Sequence, residues 1–152
     1  MPRKSLAKPI LIAGLVAGVL DISDALLFYG LHSHVPPVRL LQGIAAGLIG
    51  KSSFSDGLST AALGLAMHFS IATFWAAVFI IAARSLPVLR RHAAASGVVY
   101  GLIVYAVMNY LVLPHTHARP LPTAASITVL NGVCAIVFCV GLPIALINRR
   151  CA

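Results

Sequence analysis

Two aspartates three residues apart, Asp21 and Asp24 in "VLDISDALLFYG", interrupt an apolar run that begins at Pro9, and they are two of only three acidic residues in the chain. Side chains at i and i+3 of a helix share a face, so the pair presents two carboxylates to one environment. Near the centre of a bilayer an ionised carboxylate costs about 2.5–3.5 kcal/mol on insertion scales, so each must be paired, hydrated or protonated. His68 is the only histidine inside an apolar segment, and in its protonated form it is the one cation available at that depth. Asn109 and Asn131 add amides that both donate and accept, and Tyr105 adds a hydroxyl. Residues of these types on separate segments suit a proton-responsive site or a binding site for a polar solute. They also suit a hydrogen-bonded plug that fixes helix register.

Composition dictates the elements that must carry them. Hydrophobic residues make up 60% of the chain and charged residues 9%, with a mean hydropathy of +0.98, against about 45–50% and about 25% in soluble domains. A soluble core of 152 residues would still leave roughly 30% of the unfolded surface in water, so the solvent for this surface is lipid. The net charge of +8 does not point to nucleic acid, because the cations neither line a periodic face nor alternate with stacking aromatics. They sit at the ends of apolar segments, where cations fix membrane orientation and meet anionic headgroups.

Four windows are long enough to cross about 30 Å of hydrocarbon: Pro9–Leu31, Leu58–Ala83, Ala93–Leu113 and Ala125–Asn148. The breakers "HSHVPPVR", "RSLPVLRRH" and "PHTHARPLPT" follow the first, second and third of these windows. Placing the N-terminus inside puts eight cations there, Arg3, Lys4, Lys8, Arg84, Arg90, Arg91, Arg149 and Arg150, against three outside, Arg39, Lys51 and Arg119. The positive-inside rule then expects both termini to be cytoplasmic. The first 25 residues imitate a signal peptide with a small-residue "SDA" site, but "LLFYG" continues the apolar run directly. Between the first two spans, the apolar part of Pro37–Gly50, which holds Arg39 and Gln42, is too short to span and reads as a re-entrant or interfacial helix. The "GKS" at Gly50–Ser52 lacks the first glycine of a phosphate loop, since position 45 is Ala45.

Counted from the cytoplasmic end of each span, Asp24, His68, Asn109 and Asn131 lie at depths between about 22 and about 25 Å, with Asp21 and Tyr105 near about 18 Å. Small residues share these faces: Gly14, Gly18 and Ala25; Gly64, Ala72 and Ala76; Gly97 and Gly101; Thr128, Gly132 and Ala135. Such stripes let helix backbones approach, so the polar residues are expected to point into the bundle.

Other constellations are weaker. "HSH" and "HTH" place His32, His34, His115 and His117 in the two outer loops, where four imidazoles would offer a speculative zinc or copper site. Ordinary exposed histidines are the competing reading. One buried histidine does not make a bis-histidine haem site, and Cys134 and Cys139 point about 140° apart on a helix. No cofactor is expected.

As a set, "VRLLQGIAAGLIGKSSF", "ALGLAMHF", "YGLIVYAVMNYLVLP" and "NGVCAIVFCVGLPIALINRR" resemble small four-helix bacterial inner-membrane proteins of the YagU-like kind. The resemblance implies the same topology, draws attention to Arg39, Gln42, His68, Asn109, Pro114 and Asn131, and brings no catalytic assignment.

The expected architecture is all-α: a single-domain four-transmembrane-helix bundle in a bacterial inner membrane, with both termini cytoplasmic and a polar site in its outer half. A small permease-like or proton-coupled protein is the leading functional expectation, with the lipid bilayer and a homo-oligomer or larger membrane complex as partners. A non-catalytic accessory subunit is the alternative, and a metal-dependent membrane enzyme a weaker one.

Overall fold

A computed structural model of the chain describes residues 5–117 and 126–151. Arg3, Lys4 and Arg119 of the charge count, and Ala125 at the start of the fourth expected span, lie outside the described residues. Every element among the described residues is helical: α1 (Ala7–Ser33), α2 (Pro37–Ile49), α3 (Gly57–Ser85), α4 (Val88–Arg91), α5 (Ala93–Ala106), α6 (Ser126–Ala135) and α7 (Leu142–Cys151), with short tighter or wider helical turns between some of them. Four spans of 27, 29, 23 and 26 residues are long and apolar enough to cross a membrane: α1, α3, α5 extended to His115, and α6 running on into α7. At about 1.5 Å per residue the shortest reaches about 35 Å. All four overrun or nearly match the apolar windows, because the backbone ladder continues into polar flanks until a terminator stops it.

Those terminators can be named. His34 takes a left-handed conformation with φ 53°, and its own backbone amide closes back on the Tyr29 carbonyl, the six-to-one span that ends many helices. Pro36 follows in extended backbone and Pro37 starts α2 in the first turn, where a proline costs no hydrogen bond. The fourth span keeps going through Pro143 by a different device. Pro143 removes one amide donor and crowds the preceding turn, and the helix widens into i→i+5 bonding over Ile136–Gly141 just before it. A second widened turn, Val107–Val112, precedes Pro114 in the third span. Prolines and widened turns are recognised causes of local helix distortion.

Successive spans are neighbours around the bundle. On α1, a Cβ at Gly14 would lie 2.6 Å from Thr73 Cα and one at Gly18 would lie 2.6 Å from the Phe69 ring, so α1 and α3 touch nearly backbone to backbone. On α5, a Cβ at Gly97 would lie 2.8 Å from Leu142 Cα and one at Gly101 would lie 2.6 Å from Val137 Cα, while Gly141 faces both glycines in return. The α3–α5 joint is wider and is bridged by side chains: Tyr100 Oη donates to the Trp75 carbonyl at 2.6 Å, and the Tyr100 and Phe79 rings meet edge to face at 4.9 Å. Lipid supplies no hydrophobic drive between helices, so close contact of this kind is what holds such a bundle.

The core lies towards the termini, where Ala13, Ala17, Phe79, Ile80, Ile144 and Ala145 are buried. The largest apolar side chains often point the other way: Leu27, Leu31, Leu58, Phe74 and Tyr110 are exposed. Small residues inside and large apolar residues outside is the arrangement that a lipid solvent rewards.

Candidate functional site

α1 brings both acids to one side of the helix, and each meets a different neighbour. His68, on α3, sets its Nε2 2.9 Å from the Gly18 carbonyl. A carbonyl only accepts, so Nε2 carries the hydrogen and donates it. The absent side chain at Gly18 leaves room for this approach, with the Phe69 ring packed beside it. Asp21 Oδ2 stands 4.0 Å from the same Nε2, beyond hydrogen-bond length but close enough for an ion pair once the ring is charged. Both side chains are mostly covered, 13% exposed for His68 and 22% for Asp21. With Nε2–H engaged, the free basic nitrogen is Nδ1. A proton on that nitrogen would set an imidazolium beside the Asp21 carboxylate.

One turn further along α1, Asp24 faces the fourth span. Asn131 Nδ2 donates to Asp24 Oδ2 at 2.9 Å. The bond forms the floor of an open cleft of about 460 Å³ between α1 and α6, walled by Leu27, Phe28, Leu31, His32 and Ile127. Tyr105 reaches the same neighbourhood from α5, since a Cβ on Gly132 would meet its ring at 3.2 Å. Tyr29 lies within electrostatic range of both Asp24 and Tyr105.

The expected residues are therefore brought together in two pairs instead of one knot. Asp21 meets His68, and Asp24 meets Asn131. Asn109 turns back on its own helix and donates to the Tyr105 carbonyl at 2.9 Å, inside the widened turn where backbone register shifts. Arg39 and Gln42 sit apart, on α2. The Arg39 guanidinium lies 5.0 Å above the Phe54 ring. Gln42, only 5% exposed, donates through Nε2 to the Gly57 carbonyl at 2.9 Å and to Thr60 Oγ1 at 3.4 Å. Thr60 in turn donates to the Ser53 carbonyl at 2.6 Å. These contacts fasten α2 and the turn after it to the start of α3, which is a structural role.

The four histidines of the two HxH motifs have separate engagements. His32 stacks on Phe28 at 5.3 Å, and His34 ends α1. His115 Nδ1 donates to the Leu111 carbonyl at 2.7 Å. The His117 backbone amide bonds the Gly47 carbonyl at 3.2 Å, so the segment after the third span touches α2. Among the described residues no three His, Cys, Asp or Glu side chains converge to hold a metal ion.

Sequence reading missed the Gly18 carbonyl as the partner of His68, and missed Phe28 and Tyr29 as neighbours of Asp24. Gly18 falls three residues before Asp21, on the same helix face, and that spacing was the available signal. Set against known proteins, the chain matches no family model, no curated protein and no solved structure, so the site's own geometry carries the functional reading.

Proposed function

We propose that this small integral membrane protein responds to protons and binds a polar, hydrogen-bonding solute at Asp24, in the manner of a permease component. The observation that carries this reading is the Asn131–Asp24 hydrogen bond lying open in the cleft between α1 and α6. A plug made only to fix register would gain by being closed off, because an intramembrane carboxylate is costly wherever lipid reaches it. Asp21 and His68 form the proton-responsive half, and Asp24, Asn131 and Tyr105 the solute half. The positive-inside rule puts both termini in the cytoplasm of a bacterial inner membrane, with the cleft in the outer half and α2 at the outer interface.

The half of the bundle near the termini is filled by Phe79, Ile80 and Ile144, so a complete path calls for a second copy or a partner chain. This filling also supports an accessory role in a larger membrane complex. The deciding experiment reconstitutes the purified chain in proteoliposomes and measures proton flux under an imposed pH gradient, with Asp24→Asn beside the parent. Loss of flux with an unchanged melting temperature supports transport. Absence of flux from the parent chain, together with a stoichiometric partner recovered from native membranes, overturns transport in favour of assembly.

A further inference from the structure

The polar atoms of the Asp24 cleft are mostly acceptors. A carboxylate only accepts, so the Asn131 amide turns Nδ2 towards Asp24 Oδ2, at 2.9 Å, and holds its Oδ1 as a further acceptor beside the acid. That bond occupies one of about four lone-pair sites on the carboxylate, and Asp24 is only partly buried. Among the described residues no Lys or Arg lines the cleft, and the ion-pair contact of this region, from His68, goes to Asp21. The remaining walls are apolar, from Leu27, Leu31 and Ile127, or aromatic, from Phe28 with His32 stacked on it. At about 460 Å³ the space lies within the range of small-molecule sites, about 300–1,000 Å³, which are likewise apolar with a few placed polar groups. A carboxylate with acceptor capacity to spare, an acceptor for a neighbour and no cation of its own calls for a donor-rich, positively charged ligand.

On the footing that this cleft is a solute site, as under the proposed function, we propose that its ligand is an amphipathic organic ammonium ion. The ammonium hydrogens reach Asp24 and Asn131 Oδ1, and bonds of this charge-assisted kind are roughly twice as strong as neutral ones. The apolar body lies along Leu27, Leu31 and Ile127, and the Phe28 ring adds a surface that attracts cations. A neutral alcohol of the same shape brings one donor and no charge. An anion meets Asp24 as a like charge, which disfavours the ionised form of both.

The test uses the full chain purified in an uncharged maltoside detergent at neutral pH. Three probes of similar shape, phenethylammonium, 2-phenylethanol and phenylacetate, are titrated by calorimetry, with titrations into detergent alone subtracted. The expected result is one saturable phenethylammonium per chain, bound at least about tenfold more tightly than the alcohol, the scale of one charge-assisted hydrogen bond. Asp24→Asn should lower its affinity to that of the alcohol, and Leu27→Trp, which crowds the rim, should lower it at least about tenfold. Asp56→Asn removes an equal charge away from the cleft and should leave affinity unchanged. Because Leu27 is 63% exposed, Leu27→Trp keeps the test open even where Asp24→Asn fails to fold. Equal affinity for alcohol and ammonium, or a preference for phenylacetate, with binding lost in Asp24→Asn, overturns the cation and leaves a solute site of another class. Ammonium binding indifferent to both cleft variants overturns it by placing the ion elsewhere. No saturable binding of any probe by the parent also overturns it, and the solute reading falls with it only where Asp24-dependent flux is absent as well.

Discussion

Asn131 Nδ2 and Asp24 Oδ2 meet at 2.9 Å, 107 residues apart in the chain, and tie the first apolar span to the last. Interhelical polar contacts in membrane proteins contribute about 0.6 kcal/mol on average and about 1.7 kcal/mol at most by double-mutant cycles. A bond to a carboxylate belongs towards the upper part of that range. Asn131→Leu, Asp24→Asn and the double variant should therefore give a coupling energy of about 1 kcal/mol, read from unfolding in a graded detergent mixture. A coupling indistinguishable from zero would mean that the two side chains act independently.

The His68 ring should be a fixed tautomer. Because Nε2 faces the Gly18 carbonyl at 2.9 Å, the neutral ring carries its hydrogen on Nε2, and ¹⁵N spectra of histidine-labelled protein at alkaline pH should show a protonated Nε2 and a bare Nδ1. Gly18→Ala should disturb both the ring and the fold, since the new methyl would lie 2.6 Å from the Phe69 ring. Overpacking of this kind costs about 1–3 kcal/mol. Observation of the opposite tautomer in the parent would remove the His68–Gly18 contact and the proton logic built on it.

Much of this fold is readable in the residues themselves. Apolar windows locate all four spans to within a few residues of Ala7–Ser33, Gly57–Ser85, Ala93–His115 and Ser126–Cys151, because length and hydropathy are properties of a segment alone. Gly14, Gly18, Gly64, Gly97 and Gly101 also stand out at helical spacing, and each proves to be a place of close approach. What the sequence hides is rotation. An i→i+5 turn inserts one residue into the helical period and swings everything beyond it by about 100°. The widened turn at Val107–Val112 contains Asn109, so extrapolating a regular helix aims that amide wrongly. The turn at Ile136–Gly141 does the same to whatever continues the stripe through Thr128, Gly132 and Ala135, and it brings Gly141 onto Gly97 and Gly101. The choice of partner for each acid was illegible for a related reason: it depends on which face of α3 the backbone of α1 touches, a property of two helices together.

Glycines sort into two groups with opposite expected behaviour. A Cβ on Gly141 would sit 2.6 Å from the Gly101 amide nitrogen and overlap the Gly97 carbonyl, and one on Gly64 would overlap the Leu41 carbonyl. Backbone cannot step aside as a side chain does, so Gly141→Ala and Gly64→Ala should each cost about 3 kcal/mol or more. Gly30 and Gly43 have nothing within 4 Å of the same position and lie inside α1 and α2. Alanine there should be neutral or stabilising by about 0.5–1 kcal/mol through helix propensity. Melting temperatures in one detergent decide the matter, and equal losses at all four positions would refute the packing.

Gln42 should act through its amide hydrogens and not through its bulk. Its Nε2 gives one hydrogen to the Gly57 carbonyl and points another at Thr60 Oγ1, and losing such a bond costs about 1 kcal/mol. Gln42→Leu should loosen α2, seen as faster amide exchange over Pro37–Ile49. Gln42→Glu should be worse, because at neutral pH it sets a carboxylate oxygen against the Gly57 carbonyl. If both variants exchange at the parent's rate, α2 is held by other contacts.

Access to Asp24 can be closed without touching the acid. Leu27 lines the cleft and is 63% exposed, so Leu27→Trp adds a large ring on the rim, where surface substitutions usually change stability by within about 0.5 kcal/mol. The ring also tolerates a lipid boundary, since indole suits both apolar and interfacial surroundings. Under the proposed function this variant should melt with the parent and lose at least about tenfold in solute or proton flux, corresponding to about 1.4 kcal/mol on the rate-limiting step. Asp24→Asn should lose as much with the cleft still open, and the combined variant no more than either alone, because both act on one route. Full flux through Leu27→Trp would place the route elsewhere and reduce the Asn131–Asp24 contact to a structural tie.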